Sequence, residues 1–206
     1  MREQGDVLLQ PSPMTWRDRH PELFEFVKQR LATVPTPRIL SFGCSTGEEA
    51  LSLADCMPEA AIDAIDINPR SIRLAQAAAK REGKEQIRFA CAARPPQDSV
   101  GEYDAIFCIS VLRHGRLDAE APRDCSAILP FERFAETVNA LDRCLRPGGL
   151  LVLWGCNFRF VDTETAERYI HHQVVEKKPQ RGVFYGPDNQ RLGGQSYGHF
   201  IFQRLK

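Results

Sequence analysis

RILSFGCSTGEEALSLA, residues Arg38–Ala54, decides the fold of this 206-residue chain. Ile39, Leu40 and Phe42 form a short apolar run of the kind that makes a strand buried on both faces. Gly43 and Gly47 punctuate a tight turn, and from Glu48 to Cys56 the residues Ala50, Leu51, Leu53 and Ala54 recur at helical spacing. Strand, glycine turn and helix in that order place backbone N–H groups at a helix N-terminus, facing a crevice beyond the end of the strand.

The spacing limits what the crevice can hold. A phosphate-cradling P-loop needs Lys and then Ser or Thr after its last glycine, whereas Glu48 and Glu49 follow Gly47 here. The dinucleotide fingerprint G-x-G-x-x-G is replaced by G-x-x-x-G, so an NAD-dependent dehydrogenase keeps an acid at Asp66 but lacks its third glycine. Two carboxylates at the mouth repel a pyrophosphate and suit a ligand with a cationic centre and no phosphate. S-adenosylmethionine (SAM), with its sulfonium, amino acid end and adenosine, is such a ligand.

FGCSTGEEALSLA also resembles the first motif of class I SAM-dependent methyltransferases, and GCSTGEE is most similar to the chemotaxis-receptor methyltransferase branch. The next apolar run, AIDAIDI (Ala61–Ile67), reads as a second strand followed by a helix from Arg70 to Arg81. Asp66 ends that strand 19 residues beyond Gly47, where nucleotide-binding α/β folds place an acid on the ribose hydroxyls. DINPRSI resembles the second motif of the same family, in which this acid binds ribose. Asp63, three residues earlier, is expected to point away.

Two departures qualify the likeness. After the third strand, QIRFAC (Gln86–Cys91), family members often carry an acid for the adenine amino group, but this chain reads Ala92-Ala93-Arg94-Pro95. After the fourth, YDAIFCI (Tyr103–Ile109), the receptor-methylating branch has an Arg-Asn pair where Ile109 and Ser110 stand. The Asn/Asp-Pro-Pro-Tyr/Phe signature of amine-methylating enzymes is absent as well. LRPGGLLVLW (Leu145–Trp154) follows a helical pattern from Phe131 to Leu145 and resembles the post-helix motif of the family, its glycines expected as a C-cap and chain reversal.

The resemblance implies an α/β, Rossmann-like doubly wound sheet of seven strands, mostly parallel with an antiparallel last strand and helices on both faces. It implies SAM as cofactor, S-adenosylhomocysteine (SAH) as product, and a binding set of Phe42, Gly43, Cys44, Ser45, Gly47, Glu48, Asp66, Ile67, Ala92, Cys108, Ile109 and Ser110. In that set Glu48 meets the amino end, Asp66 the ribose, Ile67 and Ala92 the adenine, and Cys108 to Ser110 line the transfer channel. His114 is the candidate base for an acceptor that must lose a proton. It reads equally as a loop histidine at the surface or one hydrogen-bonded to Asp118.

Lys and Arg number 27 against 27 Asp and Glu, so no global field recruits nucleic acid or a membrane surface. Seven cysteines with no C-x-x-C pair read as reduced thiols of a cytoplasmic protein without zinc. No apolar run is long enough to span a bilayer, and no signal peptide pattern opens the chain. The expected organisation is one domain: a loose arm over 1–15, a cap helix within 16–33, a cofactor-binding core over 38–157 and a substrate-side part over 158–206. Receptor-methylating enzymes have a further N-terminal helical domain for which this chain has no room. A small-molecule acceptor methylated on oxygen or nitrogen is therefore the expected substrate; a protein or peptide carboxylate, or a non-catalytic SAM/SAH-binding module, are the alternatives.

The cap helix is read over His20–Leu31, with Pro21 in its first turn and Leu23, Phe24, Val27 and Leu31 on one face. Trp16 and Phe24 either line a lid over the cofactor or pack on the sheet. Gly115–Pro130 is a charged connection whose Arg116, Arg123 and Asp124 either face a substrate or are solvated. In the late chain a short helix is expected over Thr163–Tyr169, a strand near His172–Val175 and a closing strand over Gly198–Leu205. Phe158, Phe160, Phe184, Tyr185 and Tyr197 either line a pocket or fill the core, while His171, His172 and His199 read as structural.

Overall fold

The computed structural model describes residues 14–193 and 196–206. The arm expected over 1–15 lies, as far as residue 13, outside the described residues. Apolar runs β1 (Arg38–Phe42), β2 (Ala61–Asp66), β3 (Ile87–Cys91) and β4 (Tyr103–Ile109) form parallel strands, and β5 (Leu145–Trp154) continues the parallel set beside β4. The last strand, β9 (Ile201–Arg204), inserts antiparallel between β5 and β6 (Tyr169–His172), giving the seven-stranded order β3-β2-β1-β4-β5-β9-β6. A separate ribbon pairs β7 (Gln180–Arg181) with β8 (Ser196–Tyr197).

Side chains alternate across the sheet and divide the core in two. Ile39, Ile62 and Phe107 face α1 (Pro21–Arg30), α2 (Glu48–Cys56) and α3 (Pro69–Arg81). Leu40, Ile106 and Leu151 face α4 (Gly115–Glu120) and α5 (Phe131–Cys144). Helix α1 buries Leu23, Phe24 and Val27, and Phe24 meets Phe107 edge-on at 5.6 Å. Each such side chain contributes about 1.5–3 kcal/mol of burial, which clamps the helix to the sheet. Just before it, the backbone N–H of Asp18 donates to Ser52 Oγ at 2.9 Å and ties the entry segment to α2.

Between β3 and β4 the chain crosses the sheet through residues 92–102 with no helix. Space is thereby left open along α5, and Cys144 Sγ lies 3.3 Å from the Pro96 carbonyl at its far end.

Four expectations for the later chain are corrected. Residues Arg146–Gly149 neither cap α5 nor reverse the chain: Leu145 is already extended, and Tyr103↔Leu145 followed by Ala105↔Leu150 makes the segment a bulge inside β5. The Gly115–Pro130 connection contains α4. The short helix expected over Thr163–Tyr169 is of the tighter 3₁₀ type, over Glu164–Arg168, and another precedes it over Phe160–Asp162. Strand β6 ends at His172, three residues ahead of the expected strand, because the Tyr169 hydroxyl is anchored on buried Asp142 at 2.8 Å and fixes the register; Val175 beyond it is exposed.

Candidate cofactor and acceptor cleft

At the C-terminal ends of β1, β2 and β4 a cleft of about 1090 Å³ opens. Its edges are made by abrupt turns. Gly43 (φ +79°) follows β1, and a Cβ there would overlap Val111 on the neighbouring loop. Gly47 (φ +97°) is the N-cap of α2, where a Cβ would stand 2.8 Å from that of Ala75. Ser45 (φ +49°) and Ser110 (φ +60°) hold left-handed conformations without being glycines, one after β1 and one after β4. Backbone strain of this kind persists only where surrounding structure enforces it, and it gathers at ligand sites.

The donors of the glycine turn are not directed to the crevice as the sequence implies. Gly43 and Cys44 N–H both reach the Ile65 carbonyl (2.8 and 2.9 Å), and Ser45 N–H reaches Asp66 Oδ2 at 2.9 Å. The other oxygen of Asp66 accepts from Asn68 N–H at 2.8 Å. A carboxylate offers about four lone-pair positions, so Asp66 is held by two backbone groups and still has capacity facing the cleft.

Of the residues implied by the resemblance, Phe42, Gly43, Cys44, Ser45, Asp66, Ile67, Ala92, Ile109 and Ser110 all line this one cleft. Gly47, Glu48, Cys108 and His114 do not. Cys108 is fully buried in the core on the α4–α5 side, where burial holds its thiol well above the usual range. Glu48 accepts from the Thr46 hydroxyl at 2.6 Å, beside the helix start. His114 is the N-cap of α4: its Nδ1 accepts from Arg116 N–H at 3.2 Å, and its own N–H donates to Asn157 Oδ1 at 2.8 Å.

Glu49, not Glu48, turns into the cleft. One helical step rotates a side chain by about 100°, and Glu49 shares its face with Ser52, also on the wall. Ser41 Oγ donates to Glu49 Oε1 at 2.6 Å. Desolvation raises this carboxyl to about 7, against the opposing effects of the Ser41 hydrogen bond and the Arg19 charge. Ser41 is a polar residue inside an apolar strand, and that was the sequence signal for a buried polar partner nearby.

The entry segment closes the other side. Trp16, Arg19, His20 and Phe24 all line the cleft, and Phe24 also packs on the sheet, so both readings of this segment apply. His20 is 6% exposed, lies tilted against the Trp154 ring (5.2 Å between centroids) and receives Lys177 Nζ on Nδ1 at 2.6 Å. Burial and then the Lys177 and Arg19 charges depress its pKa to about 3, so it stays a neutral ring. Arg113, three residues past Ser110, also lines the wall. Arg19 and His20 lie outside every motif of the sequence, whereas Glu49 and Arg113 lie within motif stretches that give them no role of their own.

The late aromatics stand apart from this cleft, and Phe160 alone of the five borders a second, smaller cavity. Phe158, Phe160, Phe184 and Tyr185 are buried core, and neither they nor Tyr197 line the cleft. Arg116 pairs with Glu120 at 3.0 Å and Asp124 accepts from Gln190 at 2.8 Å; with Arg123 they stand off its wall. Among the described residues no group of His, Cys, Asp and Glu is placed to hold a metal ion, and no helix is long and apolar enough to cross a membrane.

Comparison with known proteins adds three kinds of likeness. A malonyl-[acyl-carrier protein] O-methyltransferase of Paenibacillus is 29% identical over 75% of this chain and 51% of its own length. The mitochondrial ubiquinone biosynthesis O-methyltransferase of Saccharomyces cerevisiae is 30% identical over 57% of this chain and 39% of its own. An uncharacterized Synechococcus protein is 34% identical over 50% of this chain and 25% of its own, so the chain spans a quarter to about half the length of the curated relatives it matches. The solved structure of the YcgJ protein from Bacillus superposes with a TM-score of 0.47 at 20% identity, over 65% of this chain and 50% of that one. Residues 40–151, from β1 through the first half of β5, match the family described as a methyltransferase domain. The chain belongs to the methyltransferase-domain family.

Proposed function

We propose that this chain transfers the methyl group of SAM to a small-molecule acceptor, on oxygen or nitrogen. The observation that carries the reading is the convergence of Asp66, the Gly43–Ser45 turn and Glu49 on one cleft. The residues present fit SAM. Asp66, with both oxygens already oriented by backbone N–H groups, has lone pairs left for two ribose hydroxyls. Ile67 and Ala92 flank the adenine, and Phe42, Gly43, Cys44 and Ser45 border the methionine portion. Glu49 takes the amino end in place of Glu48, and the Ser41 hydrogen bond orients its carboxylate.

The bound sulfonium supplies an activated methyl carbon, and the protein's task is alignment of the acceptor with the carbon–sulfur bond. Ile109, the last residue of β4, and Ser110, on the strained turn after it, border the transfer path. Gly47, Glu48 and Cys108 support the turn, the start of α2 and the core. His114 acts as a helix cap rather than as a base, because its ring is occupied by the Arg116 N–H. The two O-methyltransferase relatives support oxygen as the methylated atom.

Parallel calorimetric titration with SAM, SAH and NAD tests the cofactor. Micromolar binding of SAM and SAH without NAD is expected; NAD alone would overturn the reading. Methyl transfer from labelled SAM then separates an enzyme from a non-catalytic SAM/SAH-binding module.

A further inference from the structure

The wall next to Ser110 carries more positive charge than cofactor binding accounts for. Arg19 stands over the Trp16 ring, its guanidinium carbon 4.5 Å from the centroid, and makes no hydrogen bond or ion pair to a carboxylate among the described residues. Arg113 gives Nη2 to Asp118, while its Nε–H is buried with no partner. Arg19 and Arg113 both line the same cleft; desolvation and then the Arg113 charge depress the pKa of Arg19, against the opposing charge of Glu49, which also lines it. Ser110 borders the same cleft with its backbone, while its Oγ is buried without a partner against Gly155.

Unsatisfied buried donors are costly, and like charges sharing a cleft repel. A ligand carrying an oxyanion relieves the repulsion. Glu49 offsets only part of the Arg19 charge, since its carboxyl is held by Ser41 and, as proposed for the amino end, faces the methionine amino group. A sulfonium docked beside two guanidiniums places further positive charge at the transfer point, which disfavours a cationic acceptor. The guanidinium fork matches the planar carboxylate, and Glu49 and Asp66 in the same cleft oppose a phosphate dianion.

Resting on the methyl-transfer reading, we infer that the acceptor carries a carboxylate received between Arg19 and Arg113. Acceptors that are amines without an acid group are thereby disfavoured.

The test titrates SAH-saturated protein with benzoate, benzamide and inorganic phosphate in separate calorimetric runs. Benzoate is expected to bind at least tenfold more tightly than benzamide. Arg19→Met and Arg113→Met are each expected to weaken benzoate at least fivefold, with SAH affinity within threefold of the parent. Arg113→Lys keeps the ion pair with Asp118, serves if Arg113→Met does not fold, and is expected to lose at least threefold because a single ammonium cannot replace the fork. Equal binding of benzamide, tighter binding of phosphate, or undiminished benzoate binding in both arginine variants overturns the inference. So does a loss of SAH binding in Arg19→Met with benzoate unaffected, which would assign Arg19 to the cofactor. Failure of the parent to bind SAH overturns the methyl-transfer reading instead, while the benzoate comparison, run on protein without SAH, still decides the anion pocket.

Discussion

Asp66 and Glu49 are two carboxylates in one cleft, set apart by their surroundings. Asp66 accepts two backbone N–H groups, whereas Glu49 has one hydroxyl donor and is desolvated. Asp66→Ala is expected to weaken SAM binding by about 1.5–3 kcal/mol, the scale of hydrogen bonds to a charged group. Calorimetry on the variant, with circular dichroism as the control for folding, checks this; unchanged affinity removes the ribose role. Glu49 has a pKa near 7 in the folded protein, above its unfolded value, so its contribution to stability is complete at low pH and is lost as pH rises through 7. Glu49→Gln keeps the acceptor for Ser41 and is expected to stabilise the ligand-free protein by about 3 kcal/mol at pH 8 and by little at pH 4. Ligand binding has the opposite sign: an ammonium prefers the ionised carboxylate, so SAH affinity falls by up to about tenfold per unit below pH 7. The same titration on Glu49→Gln is expected to be flat; a parallel slope would take Glu49 out of the amino-end site.

Short elements here are held by single side chains. Helix α4 has only six residues, and His114 supplies its N-cap acceptor. His114→Ala is expected to cost about 1 kcal/mol in denaturant unfolding and to leave turnover within about twofold, the threshold taken for a residue outside the chemistry. A much larger loss of turnover at equal stability would restore a catalytic role. Asp142 on α5, buried at 4% exposure, receives Arg168 and the Tyr169 hydroxyl at 2.8 Å each and Arg204 at 3.3 Å. It thus ties β6 and β9 to the helix. Asp142→Ala is expected to destabilise by about 2–3 kcal/mol and to raise hydrogen exchange first in β6 and β9. The early elements were legible because their apolar periods are long and uninterrupted. β6 and the bulge in β5 were not, since both depend on partners 27 to 59 residues distant in the chain, such as Asp142 with Tyr169 and Arg204 with Leu145.

Across the whole molecule, the cleft joins segments that are otherwise separate. The entry segment before α1, the turns after β1 and β4, the end of β2, the helix-free 92–102 connection and α5 all contribute to it. A ligand bridging them stabilises every one of them together. At a concentration one hundred times its dissociation constant, SAH is expected to stabilise the protein by about 2.7 kcal/mol and to raise Tm by about 5–10 °C. Differential scanning calorimetry checks the shift, and an unchanged Tm would show that the cleft does not take this ligand.

Sequence alone determined the parallel core, because buried strands and amphipathic helices are written in local periodicity, and the glycine turn with Asp66 in a motif of fixed spacing. It also marked the departures after β3 and β4 at Ala92 and Ser110. Only the tertiary structure decided that Glu49 rather than Glu48 faces the cleft, that the late aromatics fill the core, and that His114 caps a helix. It alone brought Arg19 to the same wall as Arg113. The reason is physical: periodicity reports whether a side chain is buried, but its neighbours depend on sheet order, helix rotation and the path of loops. Those follow from contacts that close only when distant parts of the chain meet.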